Sequence, residues 1–463
     1  MRILFVVHDF LPKHPSGTEI YTAQLARRLA DRGHDVHVFT TEKDIARPNG
    51  ALVEREWDGL PVEELTNNLF YERFEETWSY APAEEAFGAT LERFRPDVVH
   101  FMHLLYLSGG MARQARAAGA GVAMTLHDFW LQCPRFGQRL HPDGTVCHTI
   151  ERRRCAECLS RFKFAQEPLE RRVAAGVAWT NEHLGIDASS FLRTLKERLA
   201  PAPGASPDFA PDADRAQELE GELAERERFL REDFVPFVQR FFAPSRFLYE
   251  RFLEWGLAPE RLEHLTYGLD TEPFRDLARV PSDTVRIAFI GTLAPHKGPH
   301  VLLAAWGALD AAERAGAQLM LFGPRSHNPA YVAELEARAR AVGATLAGGL
   351  ARDEVPAVLA RTDLLVVPST WYENSPLTIH EAGAAGVALA VSDLGGMAEL
   401  VTPGVNGWRF RPGDAADLAR VLRDAVGDRA ALAALGGAPP KDMRVSAEEM
   451  EARYLTLLDE ARA

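Results

Sequence analysis

Residues 366–382 read VVPSTWYENSPLTIHEA, and this stretch decides how the chain folds. The apolar run 364–367 is short, β-branched at its end and followed by turn-forming residues, which predicts a buried strand. Ser375 and Pro376 then indicate a helix start, with the serine as N-cap and the proline in the first turn. In a parallel α/β sheet, the loop between such a strand and helix lies at the edge where ligands bind.

One glutamate stands on each side of the predicted helix start: Glu373 precedes it and Glu381 lies inside it. The free amides of a helix N-terminus favour an anion, whereas ionised carboxylates only accept hydrogen bonds and therefore bind hydroxyls. A nucleotide sugar meets both demands, because it is anionic in the middle and rich in hydroxyls at both ends. The alternative is that Glu373 is a solvated loop residue and Glu381 a charge on the helix surface.

Composition limits the class of protein. The chain has 463 residues, of which 46% are hydrophobic and 25% charged, so we expect two or three globular domains. The formal charge of -14 argues against a nucleic-acid partner and against general attraction to an anionic membrane. We find no signal-peptide core and no apolar run of about 18 residues. These features predict a cytoplasmic protein.

The same architecture occurs twice along the chain. The stretches RILFVV, DVHVFT, DVVHFM, VAMTL and RFFAPS predict strands in the first half, and VRIAFIG, QLMLFG, DLLVVPS and VALAVS predict strands in the second. Helical stretches alternate with them, which predicts an α/β protein with two Rossmann-like, doubly wound parallel sheets. We place the first domain at 1–270 with a helical insertion at about 160–236, the second at 271–445 and a terminal helix at 446–463.

Two local features bear on the ends of these strands. Ser16 and Glu19 have the spacing of a capping box at the start of the first helix. Lys297 follows VRIAFIG and precedes a helix that begins near Pro299, so its ammonium can face a diphosphate; an exposed lysine is the alternative. Neither half contains a Gly-x-Gly-x-x-Gly or Walker loop, which disfavours a dinucleotide oxidoreductase or an ATPase.

Taken in order along the chain, six stretches together resemble glycosyltransferase family 4, whose members are retaining enzymes of the GT-B fold. These are SGTEIYTAQLARRLADRGHDVHVFT, DVVHFMH, TLHDFW, FIGTLAPHKG, ENSPLTIHEA and GGMAELVTPGVNGWRF. The resemblance covers nearly the whole chain apart from the insertion. It implies an acceptor-side first domain, a donor-side second domain and a terminal helix that crosses back to the first.

The resemblance also implies roles for individual residues. Glu373 matches the glutamate that holds donor-sugar hydroxyls, Glu381 the one that holds the ribose, and His127 a histidine near the reacting sugar. Gly17 matches a glycine that faces the donor across the cleft. The remaining donor-site residues are Gly291, Thr292, Lys297, Asn374, Ser375, Pro376 and Leu377. Thr292 stands where the family often has an arginine, and His296 is a candidate substitute for that missing cation.

The implied activity is transfer of a sugar, with retention, from a UDP- or GDP-sugar to a saccharide or lipid-linked acceptor. Lys297 and the helix N-terminus would stabilise the leaving diphosphate, so catalysis requires no metal cofactor. Catalytic roles are implied for His127, Glu373 and Lys297. Surface-polysaccharide biosynthesis is the expected setting. A nucleotide-sugar hydrolase or epimerase and a non-catalytic binding scaffold are the alternatives.

Four cysteines, Cys133, Cys147, Cys155 and Cys158, lie within 26 residues and include a Cys-x-x-Cys pair. Because a cytoplasmic setting disfavours disulfides, this pattern predicts a structural zinc site. His148 could replace one ligand, and packed reduced thiols are the alternative.

Basic residues surround the cysteines. They are Arg135, Arg139, Arg152, Arg153, Arg154, Arg161 and Lys163. Such a local excess could receive a diphosphate-linked lipid or membrane headgroups at the inner membrane face, or it could be a solvated positive surface.

Overall fold

The strands whose carboxyl ends are predicted to bind ligands belong to two large sheets. The computed structural model describes residues 1–184, 209–325, 328–437 and 439–462. This part of the chain contains an eight-stranded sheet, a six-stranded sheet and a two-stranded sheet. The strands are β1 (Arg2–Val6), β2 (Asp35–Glu42), β3 (Leu52–Trp57), β4 (Leu60–Thr66), β5 (Val98–Phe101), β6 (Gly121–Thr125), β7 (Arg240–Ala243), β8 (Leu262–His264), β9 (Gly268–Leu269), β10 (Val285–Ile290), β11 (Ala317–Phe322), β12 (Thr345–Gly348), β13 (Leu364–Val367), β14 (Ala388–Ser392), β15 (Gly407–Phe410) and β16 (Lys441–Asp442).

Helices lie between the strands. They are α1 (Gly17–Asp31), α2 (Ala81–Phe94), α3 (Gly110–Ala117), α4 (Arg152–Leu159), α5 (Pro168–Leu184), α6 (Ala213–Phe229), α7 (Arg246–Trp255), α8 (Pro299–Gly307), α9 (Ala311–Ala315), α10 (Pro329–Val342), α11 (Val355–Leu359), α12 (Leu377–Ala384), α13 (Gly395–Glu399), α14 (Ala415–Gly427), α15 (Arg429–Ala434) and α16 (Met443–Arg462).

The first sheet has the strand order β3-β4-β2-β1-β5-β6-β7-β8. All neighbours are parallel except β3 and β4, which form an antiparallel hairpin at the edge that the sequence patterns did not predict. Chain order reverses between β1 and β5, and in open α/β sheets ligands bind beside such a switch point. The loops after β1 and β5 are therefore the expected binding loops of this domain.

The second sheet has the order β12-β11-β10-β13-β14-β15 and is parallel throughout. Its switch point lies between β10 and β13, which are the strands that precede Lys297 and Glu373. All four residues of β13 are buried, as their apolar run predicts. The prediction that the strands end near VALAVS is wrong, because β15 follows at the sheet edge. Its glycine-rich approach concealed the short apolar pattern.

The terminal helix α16 returns to the first domain. Met450 and Tyr454 are buried in that domain's core, and the Tyr454 hydroxyl lies 2.6 Å from Nδ1 of the buried His100. Leu455 is 50% exposed, whereas Leu457 is buried. The helix begins at Met443, three residues before the predicted start at 446.

The predicted insertion at 160–236 is described only in part, since 185–208 lie outside the described residues. Its described part includes the helices α5 and α6 and a π-helical turn at Leu230–Phe234. In the ranges that the structure describes, none of the helices is long and apolar enough to cross a bilayer.

Candidate active site

The loops after β10 and β13 lie side by side at the switch point of the second sheet. Gly298 closes the first loop with a φ of +71°, and a Cβ at that position would stand 1.9 Å from the carbonyl oxygen of Pro368. Only glycine permits both the left-handed conformation and this approach. Thr370 N donates to His296 O over 2.8 Å, and this bond ties the two loops together.

Glu373 is held by three donors that meet at one oxygen. Lys297 Nζ lies 2.7 Å, Trp371 Nε1 2.8 Å and Ser369 Oγ 2.9 Å from its Oε1. Burial alone would raise the pKa of Glu373, but Lys297 and these hydrogen bonds keep it below its ordinary value. The carboxylate is therefore ionised at neutral pH and fixed in orientation, and Oε2 accepts from none of these three donors.

The helix after this loop starts one residue later than predicted. Pro376, not Ser375, is the N-cap of α12, and it supplies no side-chain cap. The Ser375 hydroxyl lies instead 2.7 Å from Nε2 of His380. Since the first amides of α12 are left without a side-chain cap, they remain suited to an anion.

Glu381 lies inside α12 and is 1% exposed. Its Oε1 is contacted by Nη1 of Arg352, which comes from the 3-10 turn Arg352–Glu354 after β12. Burial lowers the pKa of Arg352. The two predicted glutamates are thus both paired with cations, and Arg352 is a site residue that the sequence analysis missed.

Gly291 and Thr292 begin the loop after β10. The Gly291 amide donates to Phe322 O over 3.0 Å, which keeps the start of this loop against β11. Thr292 O accepts from Ala294 N in a tight turn. The ring of His296, the candidate substitute for the family's arginine, lies 4.5 Å from the ring of Trp371.

The first domain closes over this site. A Cβ on Gly17 at the start of α1 would stand 4.0 Å from Cγ of Leu377 at the start of α12. Asn374 Nδ2 donates to His127 O over 2.7 Å. Gly17, His127 and the residues before α12 are therefore brought together, as the resemblance implies.

His127 is half-buried and electrically neutral. Burial, reinforced by the nearby His103, lowers its pKa well below the ordinary value. Its Nδ1 forms a hydrogen bond with the Tyr267 hydroxyl, and its buried Nε2 has no partner in the described chain. With the tyrosine as donor, Nε2 carries the proton and has no acceptor among the described residues.

Histidines and carboxylates cluster at the switch point of the first sheet. His8 Nε2 lies 3.4 Å from Glu19 Oε1, and the His8 and His103 rings are 4.4 Å apart. His103 Nε2 lies 2.9 Å from Asp128 Oδ2, and this carboxylate raises the pKa of His103 against the effect of burial. The predicted capping box is wrong, because Ser16 makes no side-chain cap and Glu19 is buried near His8.

Burial gives two acids of this cluster unusual pKa values. It raises the pKa of Glu19 to about 7 and that of Asp9 to about 6. Glu19 Oε2 and His8 Nδ1 are buried without hydrogen-bond partners among the described residues. Buried polar atoms of this cluster are thus left unsatisfied, and burial favours the protonated form of Glu19, which suits a hydroxylated ligand.

We expect Glu19→Gln to stabilise the protein at alkaline pH. Since the folded state raises the pKa of Glu19 from 4.5 to about 7, the folded protein binds more protons than the unfolded chain between these values. Stability from this group is therefore present below about pH 4.5 and is lost as the pH rises through 7. Thermal unfolding from pH 5 to 9 should show the variant gaining up to about 3 kcal/mol over wild type above pH 7.

The exposed Glu85→Gln is the matched control for this experiment and should leave the pH profile unchanged. A Glu19→Gln profile parallel to that of wild type would contradict the buried, protonated assignment.

The four cysteines are reduced and line one small cavity together with His141. Burial raises the pKa of Cys155 and of Cys158 to about 12, so both are thiols in this arrangement. Among the described residues, however, no three Cys, His, Asp or Glu side chains stand close enough together to hold one metal ion. The arrangement as it stands does not fit a zinc centre, and the zinc site stays a prediction of the sequence pattern.

Elemental analysis of protein purified without chelators tests that prediction. The Cys-x-x-Cys pattern predicts about one zinc per chain, since a four-thiolate site would bind tightly at neutral pH. In this structure Nδ1 of His148, the candidate replacement ligand, lies 2.5 Å from the Tyr372 hydroxyl. Protein without zinc or iron would leave four packed thiols as the correct description.

The basic residues around the cysteines are largely engaged within the protein. Arg139 is buried, and Arg135 and Arg161 donate to backbone carbonyls. The other four pair with acids: Arg152 with Glu227, Arg153 with Glu157, Arg154 with Asp143 and Lys163 with Glu170. This pairing reduces the net positive field that the sequence suggests.

Several site residues escaped sequence reasoning. His8 and His103 each follow a parallel strand, as His127 does, and the rule that strand carboxyl ends bear ligands would have found them. Arg352 and Tyr372 were missed because their partners, Glu381 and His148, come from distant parts of the chain, whereas Trp371 bonds the nearby Glu373.

Comparison with known proteins agrees with this geometry. Residues 16–178 match the family described as "Glycosyl transferase 4-like domain", and 270–441 match "Glycosyl transferases group 1". Glycogen synthase of Mycobacterium tuberculosis strain H37Rv is 32% identical over 166 residues, covering 35% of this chain and 39% of that protein. D-inositol 3-phosphate glycosyltransferase of Rhodococcus opacus strain B4 is 30% identical over 202 residues, covering 40% and 45%. The matches thus span less than half of these relatives.

Solved structures extend the likeness to the whole fold. Anabaena Alr3699/HepE in complex with UDP and glucose superposes with a TM-score of 0.60 at 17% identity, covering 98% of this chain and 99% of that one. Sucrose-phosphate synthase from Thermosynechococcus elongatus gives 0.64 at 17% identity, with 99% of each chain covered. At such identities the likeness concerns the fold alone.

Two doubly wound domains with facing switch points define the GT-B class, and the predicted fold class is confirmed. The two family matches do not overlap and together cover well over half of the chain. The chain therefore belongs to the glycosyltransferase 4-like, group 1 glycosyltransferases.

Proposed function

We propose that this protein transfers a sugar from a nucleoside-diphosphate sugar to a saccharide acceptor, with retention of anomeric configuration. The observation that carries the proposal is the arrangement around the start of α12. An ionised Glu373 and a buried Glu381 bracket free helix amides, and Lys297 stands beside the first of them. An anion flanked by hydroxyls fits this order of groups.

Each part of the donor has a place in this arrangement. Glu381 accepts hydrogen bonds from the ribose, next to the Arg352 guanidinium. The amides at the start of α12 bind the diphosphate. The Lys297 ammonium donates one of its three protons to Glu373 and another to the diphosphate. Glu373 holds hydroxyls of the donor sugar through its second oxygen. HepE, whose structure contains UDP and glucose, gives an example of such a ligand on this fold.

Departure of the sugar leaves negative charge on the nucleoside diphosphate. Lys297 and the α12 N-terminus stabilise that charge with groups that are already in position, and such electrostatic preorganisation usually supplies the largest part of catalysis. They supply the positive charge that a divalent metal provides in other transferases. His127 Nε2 donates to an oxygen of the reacting sugar, while closure of Gly17 over Leu377 excludes water.

The acceptor binds at the switch point of the first sheet. The unpaired atoms of His8 and Glu19 and the Asp128-bound His103 offer both donors and acceptors to hydroxyl groups. The setting is surface-polysaccharide biosynthesis. Its support is the lipopolysaccharide 1,2-N-acetylglucosaminetransferase of Salmonella typhimurium strain LT2, which is 27% identical over 186 residues.

A thermal-shift screen with UDP, GDP, ADP and their common sugar conjugates, with and without magnesium, tests the donor site. A ligand that binds only the folded state raises the melting temperature by mass action. We expect a shift of several degrees with one base, equal with and without magnesium. No shift with any of them at millimolar concentration would contradict the proposal and favour a non-catalytic scaffold.

A further inference from the structure

Successive side chains of the loop before α12 contact the second and the first domain in turn. Trp371 and Glu373 contact each other on the donor side, while Tyr372 and Asn374 point to the first domain. Tyr372 belongs to the second domain in sequence, yet its ring is buried in the hydrophobic core of the first and is only 7% exposed. Its ring centroid lies 4.7 Å from that of Phe247 and 5.8 Å from that of Phe129. Tyr372, the residue before Glu373, thus packs its side chain into the core of the other domain.

The Tyr372 hydroxyl bonds a histidine of the first domain. His148 Nδ1 lies 2.5 Å from the Tyr372 oxygen. His148 belongs to the loop that carries Cys133 and Cys147 between β6 and α4. Arg139, which is 3% exposed, fixes this stretch by donating to Cys147 O over 2.9 Å and to His148 O over 2.6 Å. The same guanidinium lies 5.8 Å from the Tyr372 ring.

We propose that His148 and Tyr372 are positioning residues that let the acceptor-side cysteine loop set the orientation of Glu373. This proposal rests on the proposed function for its catalytic consequence, but not for its structural part. Tyr372 directly precedes Glu373, and the Glu373 carbonyl is held in turn by Gly396 N over 2.7 Å. Loss of the His148 bond removes one of the contacts that hold the loop to the first domain, beside the Asn374–His127 bond and the packing of the Tyr372 ring, and leaves the donor groups within the second domain in place.

The consequence is a separation of turnover from binding. Lys297 and Glu381, which contact the nucleotide in our account, lie in the second domain, as does Arg352 beside Glu381, and none of these side chains bonds His148 in the described part of the chain. Glu373 acts on the sugar only when its loop is correctly held against the first domain. A loop that leaves this position for part of the time therefore lowers kcat without changing nucleotide affinity.

Hydrogen–deuterium exchange of the full chain tests the structural part without any substrate. We compare wild type with Tyr372→Phe, His148→Ala and the double variant. The phenylalanine keeps the buried ring and loses only the hydroxyl. Each single variant should speed exchange of residues 368–376 about fivefold, which is the effect of one net hydrogen bond. The double variant should show no further increase, since both changes remove one interaction.

Tyr331→Phe is the matched control, because Tyr331 also bonds a histidine, His300 Nδ1 at 2.7 Å, but within the second domain. It should leave exchange at 368–376 unchanged. Unchanged exchange there in both single variants, or additive effects in the double variant, would overturn the proposal.

The catalytic part uses UDP-glucose as the probe. We expect Tyr372→Phe to lower kcat for glucose transfer from it to a saccharide acceptor about fivefold, with the Kd for UDP unchanged within twofold. Equal loss in kcat and in UDP affinity would show general disruption and overturn the positioning role. If wild type itself fails to bind UDP, the choice of UDP donor fails, while the exchange result still decides the role of the His148–Tyr372 contact.

Discussion

Glu373→Gln is expected to lower donor turnover at least about 100-fold while the Kd for the free nucleoside diphosphate stays within about threefold. A glutamine keeps the shape of the side chain but cannot form an ion pair with Lys297, and charge-assisted hydrogen bonds to the sugar are lost with it. Most nucleotide contacts lie elsewhere, at the α12 amides and Glu381, and Lys297 keeps its positive charge in the variant. Steady-state kinetics and calorimetric titration of the same preparation measure the two quantities.

Glu334→Gln is the control for this variant, because Glu334 is an exposed glutamate on α10 of the same domain whose partner is Arg338. It should change neither quantity. Full turnover in Glu373→Gln, or a parallel loss in turnover and nucleotide affinity, would contradict the assignment of Glu373 to the sugar.

Glu381→Gln should have the opposite signature. We expect it to weaken binding of the nucleoside diphosphate about 30-fold, because a buried carboxylate that accepts ribose hydroxyls contributes charge-assisted bonds worth about 2 kcal/mol in total. Turnover at saturating donor should fall much less. Calorimetric titration with the nucleotide identified by the thermal-shift screen gives the affinity directly.

Arg352→Gln distinguishes ribose binding by Glu381 from the ion pair that Glu381 forms with Arg352. This variant removes the ion pair with Glu381 but leaves the carboxylate. If Glu381 binds ribose, Arg352→Gln retains affinity far better than Glu381→Gln does. Equal losses in the two variants would mean that Glu381 acts only through its pairing with Arg352.

Site residues could be predicted from the sequence where the order of strand, loop and helix along the chain was enough to place them. Strand, loop and helix signals predict the switch-point loops and, with them, Lys297, Glu373 and Glu381, which the structure pairs with each other or with Arg352. Even there the helix start was placed one residue early. Ser375 has the chemistry of an N-cap, but its hydroxyl bonds His380 instead, and a sequence pattern cannot decide between two local partners.

The rest depends on contacts between distant segments. Arg352 reaches Glu381 from the turn after β12, and Tyr372 leaves its own domain for the core of the other. The β3–β4 hairpin was missed because charged residues interrupt its apolar alternation. The cysteine spacing predicted a metal, yet the loop directs His148 to Tyr372 and leaves the four thiols around a cavity.

Sugar transfer itself is the central claim, and proton NMR of wild-type protein with the bound nucleotide sugar and a panel of saccharide acceptors tests it most directly. The account predicts release of the nucleoside diphosphate together with a new glycoside that has the anomeric configuration of the donor. A donor that stays intact with every acceptor, or a product of inverted configuration, would contradict it.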